Sequence, residues 1–308
     1  MYSDSIIKVL KAPRILFARL LMREPFCKMF SDETYLKISY RLCIGKKLNL
    51  NNPKTFTEKI QWLKLHNTSD LCQTLVDKFA VRKYIADTIG ENYLIPSLGV
   101  WNSFDEINFD ELPNQFVLKC THDSGSVVIC KNKDSLNKEA AKKKLTKALN
   151  NSFYWIGRER PYKNVPPRII AEQFMVDDET DDLADFKFFC FNGVPKVLFY
   201  ASERFKSKNR PAYFDFYDME LNRLDMTSFG HSHNPKSLEY FPQFDEMKRL
   251  ATILSKSFPH VRVDFYLING KVYFGEITFH HDGGYVPFQP IKWDEILGSW
   301  IDIDGYKC

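Results

Sequence analysis

The stretch VRVDFYLINGKVYFGEITFHHDGG, Val261 to Gly284, holds the residues best placed to do chemistry. Asn269-Gly270 between two runs of alternating apolar residues is the strongest short signal for a β-hairpin. Arg262 and Asp264 stand two apart and so leave one face of the first strand, and Glu276 and Thr278 do the same on the second. An antiparallel pair therefore gathers an arginine, two carboxylates and a hydroxyl among residues that otherwise read as core. Burying such charges without partners is expensive. A divalent cation with phosphate oxygens offsets that cost, because hard cations take carboxylate oxygens and Mg2+ commonly uses one or two of them plus phosphate. The plainer reading is a surface hairpin with a solvated Asp–Arg pair, and spacing alone does not separate the two.

Two more residues stand out on extended segments. Lys119 lies inside the apolar run Phe116-Val117-Leu118-Lys119-Cys120, where a lysine needs a partner. It is followed by the small polar turn His122 to Ser126, whose N–H groups are of the kind that covers phosphates. Glu172 closes the strand-like run Ile169 to Met175; a carboxylate beside exposed main chain suits a purine base and ribose. Its bland alternative is an edge-strand charge paired with a neighbouring lysine.

These residues need a scaffold. Helices are expected from the capping residues before Ile60, with Thr55 or Thr57 as the cap, from Asp77 to Gly90, from Leu136 to Leu149, and over FDEMKRLATILSKSF. A second hairpin turns at Phe191-Asn192-Gly193. Hairpins separated by single helices predict an α+β fold with antiparallel sheets, against a doubly wound parallel one. At 308 residues the chain exceeds the usual single-core size. A net charge of +4 without basic–aromatic clusters excludes nucleic acid as the expected partner. Seven cysteines without CxxC spacing predict reduced thiols in the cytoplasm. Residues 6–22, apolar with Lys8, Lys11, Arg14 and Arg19 interspersed, suit peripheral contact with the cytoplasmic face of an inner membrane or packing on the protein body.

The order of the parts is informative: Asp77-Lys78, Lys119, Gly125, Glu172, Asp185 and Lys187, Arg262-x-Asp264, Glu276-x-Thr278. In this order the chain resembles the ATP-grasp superfamily, and within it the TupA-like ATP-grasp proteins of bacterial surface-polysaccharide gene clusters. The matching words are NPKTFTEKIQWLKL, DKFAVRKYI, IPSLGVW, FVLKCTHDSGS, IIAEQFM, DFKFFCFNG, RVDFYLINGKVYFGEITF and WDEILG.

The resemblance implies ATP held between two α+β subdomains of the ATP-grasp fold. A helical N-terminal region (1–75) would precede the N-terminal and lid parts (76–175) and a C-terminal subdomain with the metal site (176–308). Lys119 and Lys78 would contact phosphates, with Lys187 also at the nucleotide, and Ser124-Gly125-Ser126 would form the lid. Glu172, Gln173, Phe174 and Met175 would form the adenine hinge, with Asp178 on the ribose. Asp264 and Glu276, with Thr278 a weaker ligand, would hold Mg2+, and Arg262 would neutralise the transferring phosphate. His280 is the candidate for deprotonating an amine. Thr278 stands where superfamily members often carry Asn, and the lid is thin in glycine.

The implied activity is carboxylate–amine ligation through an acyl phosphate. The expected partners are a carboxylate-bearing sugar or polysaccharide precursor and an amino acid or amino sugar. Arg204, Lys206 and Arg210 form a basic loop suited to an anionic substrate, or simply solvated. The alternative kept open is a glycosyltransferase of polysaccharide biosynthesis, for which Asp302-Ile303-Asp304 offers an Asp-x-Asp.

Overall fold

Strand pairing among the described residues is antiparallel throughout, the α+β pattern expected of hairpins separated by single helices. The computed structural model describes residues 13–66, 69–180, 183–203, 212–228 and 232–306. In chain order they form α1 (Pro13–Leu21), α2 (Asp32–Ile44), α3 (Phe56–His66), α4 (Asp70–Val76), α5 (Val81–Thr88), β1 (Ser97–Trp101), β2 (Phe116–Cys120), β3 (Val127–Cys130), α6 (Lys138–Leu149) and α7 (Tyr154–Gly157). There follow β4 (Ile169–Gln173), β5 (Asp185–Phe191), β6 (Val194–Ser202), β7 (Tyr213–Tyr217), α8 (Pro242–Ser255), β8 (His260–Ile268), β9 (Lys271–Thr278) and α9 (Lys292–Ser299). The basic loop of Arg204, Lys206 and Arg210 lies outside the described residues, as does the part of segment 6–22 before Pro13. No helix among the described residues is long and apolar enough to cross a membrane.

Contacts divide the chain into two units, Thr68–Val176 and a second made of Met1–Asn67 with Asp177–Cys308. In the first, a four-stranded sheet runs β1-β4-β2-β3. Alternation sends Phe116, Leu118, Cys120, Ile169 and Ala171 to one face, where they pack with Ala141 and Leu145 of α6. Each Phe or Leu so buried contributes roughly 1.5–3 kcal/mol. The opposite face is left to Val117, Lys119, Ile170 and Glu172.

The second unit holds a five-stranded sheet in the order β7-β6-β5-β8-β9. Asn192-Gly193 and Asn269-Gly270 all have positive φ (50°, 80°, 49° and 73°), which two-residue hairpin turns of this kind require and Asn-Gly tolerates. Against one face lies α8, whose Phe244, Met247, Leu250, Ala251 and Leu254 are buried at helical spacing.

The other face is covered by α3 and α9: Phe56, Ile60, Leu63 and Leu297 share one core with Phe189, Phe199 and Phe216 of the sheet. The sequence reading set residues 1–75 apart as a helical region. In the structure α3 lays its apolar stripe on the C-terminal sheet, and residues 1–67 share a unit with residues 177–308.

Helix α3 is begun by a reciprocal cap: Thr55 Oγ1 accepts from the Glu58 amide at 3.3 Å, and Glu58 Oε2 accepts from the Thr55 amide at 3.2 Å. Asp294 of α9 adds a long-range cap, accepting from the Thr57 amide (3.0 Å) and hydroxyl (2.8 Å). The two elements touch closely at Gly298, where a Cβ would stand 2.3 Å from the Lys54 carbonyl oxygen and 2.6 Å from Phe56 N. Backbone cannot yield as a side-chain tip does. Gly298→Ala is therefore expected to cost about 1–3 kcal/mol of stability, read as a lowered urea midpoint at unchanged slope.

His260 supplies a pH-dependent term. It is 1% exposed, donates Nδ1–H to the Cys190 carbonyl (3.0 Å) and packs against Phe56 and Phe191. Burial pushes its pKa down to about 3. The unfolded chain, with an ordinary pKa of about 6.5, binds this proton first as pH falls. The His260 contribution is therefore full above about pH 6.5 and is lost between there and about pH 3, at up to about 1.4 kcal/mol per pH unit. Urea unfolding at about pH 7 and about pH 5 should show this slope in the wild type and a flatter one in His260→Gln; equal slopes would refute it.

Candidate functional site

The polar cluster sits on the α3–α9 face of the five-stranded sheet, at the junction of β5, β8 and β9. Register makes it: Lys187 of β5 lies opposite Asp264 of β8, which lies opposite Glu276 of β9, and Arg262 lies opposite Thr278. A bulge after Asp264 brings Gly275 against it, where a Cβ would be 3.1 Å from the Asp264 carbonyl oxygen.

Arg262, only 7% exposed, grips Asp264 with two bonds, Nε to Oδ1 and Nη2 to Oδ2, both 2.7 Å. The same Nη2 reaches Glu276 Oε1 (2.9 Å) and Thr278 Oγ1 (3.1 Å). Lys187 donates to Asp264 Oδ2 (2.7 Å) and lies 3.2 Å from Asp185. Asp264 and Glu276 thus converge on one guanidinium nitrogen. Burial alone would raise the Asp264 pKa, but Arg262 and Lys187 outweigh it and hold the carboxyl below its usual range. Burial likewise works against the Arg262 charge, and Asp264 and Glu276 overcome it.

His281 completes the grip. Arg262 Nη1 donates to its Nδ1 at 2.7 Å, and since a guanidinium only donates, the ring proton is on Nε2, 2.9 Å from Asp282 Oδ2. Burial would raise the Asp282 pKa, yet His281 beside it and Arg262 draw it down. Asp282, Gly283 and Gly284 all take left-handed backbone (φ 48°, 61° and 64°). The turn is anchored to α3, where Gln61 and the buried Lys64 donate to the Gly283 carbonyl at 2.9 and 2.6 Å.

Could this cluster hold Mg2+? It counts four carboxylates (Asp185, Asp264, Glu276, Asp282) against two fixed cations (Arg262, Lys187), a surplus suited to a dication. The donors that Asp264, Glu276 and Thr278 offer are oxygen, and the Glu276 side chain is 48% exposed, within reach of solvent and ligand. No group of three or more His, Cys, Asp or Glu able to hold a metal gathers among the described residues. Two carboxylates and a hydroxyl fit an ion that draws its other ligands from water and phosphate, as Mg2+ does.

In the other unit, Lys119 and Glu172 are diagonal neighbours across β2 and β4 and bond at 2.5 Å. Glu172 also lies 3.7 Å from Arg82 of α5, a cation the sequence reading did not single out, though it stands four residues after Lys78. Lys78 Nζ donates to the Asp123 carbonyl and its amide to Thr121 O (3.0 Å), so the 121–126 turn is tied to the start of α5. Within that turn Ser124 and Gly125 are exposed, Gly125 with φ 95° and open space around it. Ser126 is buried, accepting from the Cys120 amide and donating to Asp123. Gln173 is exposed at the end of β4 and takes a backbone bond to Pro96, and the Phe174 ring lies 5.8 Å from Lys131 Nζ; Met175 is half-buried.

Other expected residues have local partners. Asp178 Oδ2 accepts from Asn269 Nδ2 at 2.8 Å, clamping the β8–β9 turn. His280 is 2% exposed, and the histidine that touches Arg262 is its neighbour His281. Asp302 Oδ1 accepts from the Asp304 amide (3.0 Å) in a terminal turn. The six described cysteines are free and five of them are buried.

The solved structures that resemble the chain include the D-alanine–D-alanine ligase of Bacillus anthracis complexed with ATP (16% identity, 67% of this chain, 55% of that one, TM-score 0.39). They also include the Helicobacter pylori D-alanine–D-alanine ligase (14%, 82% and 70%, TM-score 0.40). A third is the biotin carboxylase domain of Hydrogenobacter thermophilus 2-oxoglutarate carboxylase with MgADP (13%, 79% and 51%, TM-score 0.42). The chain thus spans little more than half the length of the Bacillus ligase. No curated protein matches. The family model described as TupA-like ATPgrasp matches residues 58–302, from the first turn of α3 past the end of α9, and so takes in both sheets and every element of the cluster. The chain belongs to the TupA-like ATPgrasp family.

Proposed function

We propose that the protein is an ATP-dependent carboxylate–amine ligase. The carboxylate is a uronic acid, or a similar acid, of a bacterial capsule or cell-surface polysaccharide, and the amine is an amino acid or amino sugar. The observation that carries the reading is the Arg262–Asp264–Glu276 cluster, in which a cation and surplus carboxylates face each other in a family whose name is that of an ATP-binding fold.

In this reading a substrate carboxylate oxygen attacks the γ-phosphorus of ATP and ADP departs. The amine nitrogen then attacks the acyl carbon, phosphate departs, the nitrogen loses a proton and an amide results. Asp264 and Glu276, with Thr278, would hold Mg2+, which would supply charge screening at the phosphate oxygens. Arg262 lends positive charge where the phosphoryl oxygens gather it, and its bonds to Asp264 and His281 fix the guanidinium beforehand. Lys119 and Lys78, with Lys187, contact the phosphates beside the Ser124–Ser126 turn. Glu172, Gln173, Phe174 and Met175 take the adenine, with Asp178 toward the ribose. His280 takes the proton of the amine.

The test is ADP release screened over uronic acids and amino acids, which should require both substrates together. Glu276→Gln and Lys119→Ala should each lower turnover about 100-fold or more, Glu276→Gln with a near-native unfolding midpoint. Asp264→Asn differs: it leaves Arg262 and Lys187 short of a buried counter-charge and should cost about 3–5 kcal/mol of stability besides. His280→Asn should slow amide formation, and the ADP release coupled to it, with both substrates present. Full turnover in Glu276→Gln, or UDP release from a nucleotide sugar without ADP release, would overturn the reading.

A further inference from the structure

Six of the thirteen large hydrophobic residues exposed among the described residues fall between positions 16 and 30: Leu16, Phe17, Leu20, Phe26, Met29 and Phe30. On α1, Ala18 and Leu21 are buried, whereas Leu16 is 70% and Phe17 61% exposed. Leu16, Phe17 and Leu20, at i, i+1 and i+4, form one outward ridge. An apolar cluster this dense on a surface marks something that covers it.

The segment that carries the ridge is basic. Residues 14–47 carry eight Lys and Arg against three Asp and Glu, a net +5, which exceeds the +4 of the whole chain. A cavity of about 540 Å³ opens beside α1 and α2, lined by Arg14, Lys37, Arg41 and Lys47 together with Leu42 and Leu48, and no acid lines it. Lys37 is additionally paired with Glu33 at 2.5 Å on the exposed side of α2.

We infer that this face docks on an anionic phospholipid bilayer. Leu16, Phe17 and Leu20 enter the acyl boundary, and the cations of the neighbouring cavity take lipid phosphates. A second copy of the chain would set +5 against +5, which repels. A nucleic acid would use the cations and leave the apolar ridge in water. Only an amphiphilic, negatively charged surface satisfies both observations at once.

Sedimentation of the full chain with vesicles tests this. Binding is expected to vesicles of equal parts phosphatidylglycerol and phosphatidylcholine and not to phosphatidylcholine alone, and to weaken on raising salt. The triple variant Leu16→Ser, Phe17→Ser, Leu20→Ser should lose binding with unchanged circular dichroism, since those side chains are exposed. Arg41→Gln and Lys47→Gln should each lower the partition coefficient about fivefold. Equal binding to both vesicle types would overturn the proposal, as would triple-variant binding equal to wild type. So would a concentration-dependent dimer that the triple variant abolishes while lipid has no effect.

Discussion

The structure depends on a buried ion pair that runs along a strand instead of across it. Arg262 and Asp264 are neighbours on one face of β8, both all but inaccessible, joined by two bonds of 2.7 Å. Taking both charges out of water costs several kcal/mol per ion, and one pair repays that only when its remaining donors and acceptors are met. The remaining contacts are met one by one. Lys187 supplies Asp264, and Glu276, Thr278 and His281 receive what is left of the guanidinium. Such a network adds little to net stability, yet it allows one register of three strands and no other, because a one-residue slip would turn every member to the opposite face.

Much of the surrounding architecture follows from keeping that register. The two Asn-Gly turns fix the β5–β6 and β8–β9 hairpins, and Asp177 and Asp178 hold the second turn by bonds to Asn269. Gly275 permits the backbone approach that sets Glu276 opposite Asp264. Beyond β9 the left-handed turn at Asp282 to Gly284 returns His281 to Arg262, and Lys64 and Gln61 hold it from α3. That dependence explains why helices so far from the C-terminal sheet in sequence belong to the same unit.

The parts that rest on short-range chemistry were legible in the sequence. Alternation and Asn-Gly located both hairpins, spacing placed Arg262, Asp264, Glu276 and Thr278 on one face, and Thr55 was one of the two caps offered for the start of α3. Resemblance carried over the family and the fold. What stayed hidden depends on distant partners. Strand β7 is short and lies at a sheet edge, α4 and α9 are too brief to show a period, and Arg82 gains meaning only when α5 brings it near Glu172. The bland reading of Glu172 as a charge paired with lysine and its reading as a nucleotide contact were treated as rivals. The lysine proves to be Lys119, the other candidate.

Anomalous diffraction from crystals grown with Mn2+ and ADP shows whether Asp264 and Glu276 share a metal ion. The expected result is a manganese peak at the carboxylate oxygens of Glu276 and Asp264 and at the nucleotide phosphates, about 2.0–2.1 Å from each oxygen. A peak on other residues, or nucleotide bound with Arg262 still closing both carboxylates and no metal beside them, would contradict it.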